Sequence, residues 1–96
     1  MHRQLLDRLH ESEGTVLLAV TAPWCGPCKA LKPALTALKH EGVHVMTADI
    51  ETPEGAIVAQ SLGVSGVPAM IRFDNGVPTA DLRTGVTPAK IRAMLG

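Results

Sequence analysis

The chain has 96 residues, 46% of them hydrophobic, with nine basic side chains against nine acidic ones and no formal net charge. That size suits a single domain over residues 1–96, large enough to bury one modest core without a metal or disulfide staple. The balanced charge lacks the clustered Lys and Arg of a nucleic-acid or membrane footprint, and one Trp, one Phe and no Tyr do not make a base-stacking platform.

Along the chain, Leu5, Leu6 and Leu9 fall at helical spacing within residues 3–11 and predict a short amphipathic helix that Gly14 ends. Thr15–Thr21 (TVLLAVT) is a short apolar, β-branched run, as expected for a strand buried on both faces. Residues 26–40 carry Leu31, Leu35 and Leu38 at i, i+4 and i+7, a helix with one apolar face. Pro27 suits its first turn, Pro33 interrupts its interior and should kink it, and Gly42 marks its end. Lys29, Lys32 and Lys39 along this segment read as a solvated helix face.

Val43–Ile50 (VHVMTADI) predicts a second strand. Thr52-Pro53-Glu54 then reads as an N-cap with proline at the first helical position, opening a helix with Ile57, Val58 and Leu62 inward and Gly63 at its end. Ala69–Phe73 and Val77–Thr84 flank Asn75-Gly76, a two-residue hairpin signal, and Pro78 marks the second arm as an edge strand. Thr87-Pro88 opens a last helix with Ile91, Met94 and Leu95 facing in. The order α-β-α-β-α-β-β-α gives an α/β fold. Its first two strands are parallel through a right-handed crossover, its last two are antiparallel, and helices lie on both faces of a small mixed sheet. The longest apolar run, Val16–Val20, is far too short to span a bilayer, and no apolar signal core follows Met1-His2-Arg3-Gln4. A cytoplasmic monomer is the expectation.

The only cysteines, Cys25 and Cys28, stand in Trp24-Cys25-Gly26-Pro27-Cys28, directly after a predicted strand and at the mouth of a predicted helix. Three readings of C-x-x-C compete. Zinc needs about four ligands and this motif supplies two, so no metal is expected, and His2, His10, His40 and His44 are assigned no role. A purely structural disulfide closing so small a loop removes little chain entropy. A redox dithiol fits the position. At a helix N-terminus the free N–H groups and the dipole favour an anion and lower a thiol's pKa. Cys25, ahead of the helix, is then the exposed attacking thiol, and Cys28, one turn in, the resolving thiol.

Ala22-Pro23-Trp24-Cys25-Gly26-Pro27-Cys28-Lys29, with Pro33 following, resembles the active-site segment of the thioredoxin family. Val67-Pro68, within Val64-Ser65-Gly66-Val67-Pro68-Ala69, is similar to the family's cis-proline loop, which offers backbone groups to an extended substrate strand. Phe73-Asp74-Asn75-Gly76 resembles its hairpin turn, and Gly85 stands where the family keeps a glycine beside the active site. The match runs from about Thr15 to the C-terminus. It implies a thioredoxin fold with a four-stranded mixed sheet. Trp24, Gly26, Pro27 and Pro68 would support the cysteines, and Gly66, Val67, Thr84 and Gly85 would border a substrate groove. The Gly-Pro pair between the cysteines resembles the reducing members of the superfamily. The implied activity is reduction of protein disulfides, with no cofactor and with electrons from a thioredoxin-reductase-type donor. A redox-independent binding subunit of a larger assembly is the alternative, and an oxidant or isomerase a weaker third.

Three departures from the family pattern stand out. The family's first strand has no counterpart here, which leaves Val43–Ile50 at a sheet edge that His2–Leu6, or a partner, is expected to cover. The family's buried Asp and its Lys partner are replaced by Ala19 and Thr47. Both charges go together, so neither is stranded. The expectation is a raised pKa at Cys28 and slow resolution of the mixed disulfide, with water or a substrate group taking the proton. Thr21 replaces a common aromatic at the rim of the groove.

Overall fold

The computed structural model describes residues 3–96 and orders them as α1 (Gln4–Glu11), β1 (Thr15–Thr21), α2 (Gly26–His40), β2 (His44–Asp49), α3 (Pro53–Ser61), β3 (Ala69–Asp74), β4 (Val77–Leu82) and α4 (Pro88–Leu95). Local chemistry sets the boundaries. The Thr52 hydroxyl accepts from the Gly55 N–H at 3.0 Å and the Thr87 hydroxyl from the Lys90 N–H at 3.2 Å, each followed by a proline that has no N–H to leave unpaired. Val43 falls outside β2 because its N–H turns back to the Leu38 carbonyl and finishes α2. β4 stops at Leu82, two residues short of expectation. Beyond it the Arg83 guanidinium donates to the Leu62 and Gly63 carbonyls and holds the chain against the end of α3. The β3–β4 turn uses Asn75 (φ 50°) and Gly76 (φ 81°), both left-handed, as a two-residue hairpin of this twist requires. Gly76 has a second reason to lack a side chain: a Cβ there would collide with the His10 carbonyl oxygen.

The sheet runs β2-β1-β3-β4. β1 pairs parallel with β2 (Val16 opposite His44, Thr21 opposite Asp49) and antiparallel with β3, and β3 continues antiparallel into β4. β1 is therefore central, and its side chains split between two cores. Val16, Leu18 and Val20 join Leu5, Leu6 and Leu9 of α1 and Val58 and Ala59 of α3 on one face. Leu17 and Ala19 join Leu31 and Leu38 of α2 and Ile91 of α4 on the other. Strict alternation along an apolar run thus serves two helical layers at once. On the far edge, Pro78 of β4 stands opposite Phe73 beside a register irregularity at Arg72/Phe73, a place where a missing N–H is tolerated.

Among the described residues β2 has one sheet neighbour, β1. Of the segment expected to cover its edge, Leu5 and Leu6 are buried in the core on the face that α1 shares with α3, in one cluster with Met46 and Ala48 of β2. His2 lies outside the described residues.

Candidate active site

β1 and β2 are parallel, so their C-terminal ends open at the same edge of the sheet, where α/β folds place ligands. After β1 the chain makes a short loop, Ala22-Pro23-Trp24, closed by the Cys25 N–H on the Ala22 carbonyl at 3.2 Å. Cys25 is the N-cap of α2: its backbone is extended (φ −85°, ψ 107°) and its Sγ accepts from the Cys28 N–H at 3.2 Å. Sulfur does here what a Ser or Asp oxygen does at other helix starts. Pro27 sits in the first turn, and no acidic side chain stands there to compete for the positive end of the dipole. The three-residue spacing brings the Cα atoms to 5.3 Å, and Cys25 and Cys28 are joined in a disulfide.

Both sulfurs are covered. Cys25 is 4% exposed and Cys28 5%, packed with Ala22, Ile50 and Val67. The expectation that Cys25 is the exposed member of the pair is thus corrected for the disulfide form. Capping its own helix draws the Cys25 side chain inward, and the loops after β2 and before β3 close over it. The Val67–Pro68 peptide bond is cis. Val67 packs on the two cysteines, and Pro68 lines a cavity that also reaches Cys28.

Beside the disulfide a shallow groove of about 240 Å³ is lined by Trp24, Ile50, Ala59, Val64, Gly66 and Val67, among others. Trp24 forms one end with 65% of its surface in solvent, and its indole N–H donates to Glu51 Oε1 at 2.7 Å. Of the residues singled out in the sequence, the structure gathers Trp24, Cys25, Gly26, Pro27, Cys28, Gly66, Val67 and Pro68 at this edge. Thr84 and Gly85 are exposed in the loop between β4 and α4, and neither lines the groove. Gly85 has a left-handed backbone (φ 59°), a conformation that favours glycine.

Sequence reasoning passed over Glu51. Its signal lies in the topology: it follows the C-terminus of the strand parallel to β1, so it must emerge beside the loop that carries Trp24. The Asp49 carboxylate, accepting the Glu51 N–H at 2.8 Å, fixes the turn that presents it.

The thioredoxin family model matches residues 2–96. A thioredoxin of Chlamydia trachomatis is 38% identical over 65 residues, which cover 68% of this chain and 64% of that protein. The NADPH-dependent thioredoxin reductase 3 of Arabidopsis thaliana is 39% identical over 69 residues, 69% of this chain and 13% of that protein. These matches span less than two thirds of each relative's own length. Among solved structures, a single-site mutant of a thioredoxin from Halobacterium salinarum superposes with a TM-score of 0.80 at 27% identity, covering 93% of this chain and 78% of that one. Fold, cysteine geometry and likeness agree, and the chain belongs to the thioredoxin family.

Proposed function

We propose that the protein is a thiol–disulfide oxidoreductase that reduces disulfides in other proteins through a Cys25/Cys28 dithiol–disulfide cycle. The observation that carries this reading is the Cys25–Cys28 disulfide at the N-terminus of α2, set beside the Val67–Pro68 turn and the Trp24 groove. In the reduced protein the Cys25 thiolate, favoured by the helix dipole and the Cys28 N–H, attacks a substrate disulfide and forms a mixed disulfide. Cys28 then attacks Cys25 Sγ and releases reduced substrate. Two electrons pass to the substrate, and the protein is left as the disulfide form. Likeness to part of a thioredoxin reductase supports a reductase of that kind as the electron source. With its only two cysteines in one redox pair, the chain suits a reducing compartment, and we place the cycle in the cytoplasm.

The test is reduction of insulin with dithiothreitol as electron donor and Cys25→Ser as control. Turnover by the native protein that vanishes in the variant is expected. A folded, reduced native protein with no turnover above the uncatalysed rate would overturn the reading. Partner binding that survives loss of both cysteines would then favour a role that needs only the fold.

A further inference from the structure

A second cavity, of about 220 Å³, approaches the disulfide from a different side and shares no lining residue with the Trp24 groove. Cys28 and Pro68 line it, together with Ala19, Thr47, Lys32 and Lys39. Ala19 and Thr47 are direct partners in the parallel β1–β2 ladder, so two small side chains meet where larger ones would fill the space. Cys28, Lys32 and Lys39 follow one another at i, i+4 and i+11 on α2, which puts all three on one side of the helix.

The resolving step needs Cys28 as a thiolate, and burial at 5% exposure opposes that charge. The ionisable groups lining the cavity are Cys28 itself, Lys32 and Lys39, all from α2. β1, β2 and β3 contribute Ala19, Val20, Thr21, Val45, Thr47 and Met70, none of which titrates near neutrality. Lys29 and Asp49 line the adjoining recess with Lys32, and one carboxylate oxygen of Asp49 already accepts the Glu51 N–H. No carboxylate borders the cavity among the described residues, so a protein base for the Cys28 proton is missing from it. Its volume far exceeds the ~10–15 Å³ that one water requires, and the Thr47 and Thr36 hydroxyls line it as polar partners.

Taking the oxidoreductase reading as its basis, we propose that this cavity is the proton exit for Cys28, and that Lys32 is a positioning residue whose charge steadies the Cys28 thiolate. The Cys28 S–H gives its proton to water in the cavity. The thiolate's electron pair forms the Cys28–Cys25 bond as the bond between Cys25 and the substrate sulfur breaks. The substrate leaves as a thiolate and takes a proton from solvent. Stabilisation by a cation here replaces abstraction by an anion, and the positive charge of Lys32 works against the burial that disfavours the Cys28 thiolate.

The experiment is a single turnover of the reduced full chain with 4,4′-dithiodipyridine, an uncharged disulfide, followed across pH. The first thiopyridone released reports attack by Cys25, and the second reports resolution by Cys28. Lys32→Gln is expected to leave the first phase unchanged, to slow the second about three- to tenfold near pH 7, and to raise the pH midpoint of the second by about 0.5–1 unit. Lys32→Arg restores the native midpoint, and Lys29→Gln moves it less than Lys32→Gln does. A second-phase midpoint that stays put in Lys32→Gln, or moves equally in Lys29→Gln, overturns the proposal while the first phase still supports the oxidoreductase reading. Absence of the first phase in the native protein overturns both.

Discussion

Trp24 leaves about two thirds of its surface in water and commits its single N–H to Glu51. A large exposed aromatic is unusual in so small a chain, and the indole–carboxylate hydrogen bond is what holds the ring at one end of the groove. Glu51→Ala frees the ring to rotate without opening any core. The expected result is a KM for a protein disulfide raised about three- to tenfold, the worth of one solvent-exposed hydrogen bond of about 0.5–1.5 kcal/mol. kcat and the midpoint of thermal unfolding should change little. Steady-state insulin reduction and a melting curve on the same sample check this. At the same scale, Cys28→Ser removes the resolving thiol but keeps Cys25 at the helix N-terminus. It should accumulate a covalent adduct with disulfide substrates, visible as a mass increase that dithiothreitol reverses, with turnover lost. A Cys28→Ser protein that cycles like the native one would show that Cys28 is not the resolving group.

Elements bring these residues together, and one close approach is decisive. α3 crosses the end of β2 so tightly that a Cβ on Gly55 would collide with the Asp49 carbonyl oxygen. The obstacle is backbone, so it cannot swing aside as a side chain would. Gly55→Ala should therefore push α3 off the strand end that carries Ile50 and Glu51, with a loss of about 2–4 kcal/mol in urea unfolding. Thr52→Ala, which removes only the cap of the same helix, should cost about 1 kcal/mol. Comparing the two separates steric contact from capping. Most element boundaries were legible in the sequence because each is written in local chemistry: a capping threonine before a proline, a left-handed Asn-Gly, an apolar run of strand length. The cysteine motif was legible for the same reason. What escaped were contacts made by the way elements cross. Gly55 reads as an ordinary helix residue until β2 lies beneath it, Glu51 as a loop carboxylate, and Lys32 and Lys39 as a solvated stripe until Ala19 and Thr47 leave a cavity beside them. The burial of Cys25 was missed because a sulfur can serve as its own helix cap, which spacing alone does not reveal.

At the scale of the molecule the two ends of the sheet divide the work. The C-terminal end of β1 carries the cysteines, and its N-terminal end is tied together by Asp74. That carboxylate accepts hydrogen bonds from the Thr15 and Thr79 hydroxyls and from the Arg72 guanidinium, and Arg72 also donates to the Met94 carbonyl at 3.0 Å. One carboxylate thereby connects β1, β3 and β4 and, through Arg72, α4. The hydrogen bonds from Thr15, Thr79 and Arg72 hold its carboxyl well below the usual carboxylate range. Because the folded pKa is depressed, the stabilisation is fully present above about pH 5. It is lost as pH falls through the ordinary Asp value of about 4 toward the lower folded value. Asp74 is part exposed, with 29% of its side chain in solvent, so water screens each contact and the effect is modest. The exposed Glu41–Arg92 pair, which ties α2 to α4 with both side chains about half in solvent, should matter less still. Urea unfolding of the native protein and Asp74→Asn from pH 7 to pH 2 should show a constant gap above pH 5 that narrows below pH 4. The first-phase rate of Cys25 should be the same in both proteins at every pH where they are folded, because the length of β1 separates the carboxylate from the disulfide. A gap that widens on acidification would mean that Asp74 gains its stability from the protonated form. A change in the Cys25 rate would mean that the two ends of the sheet are coupled rather than independent.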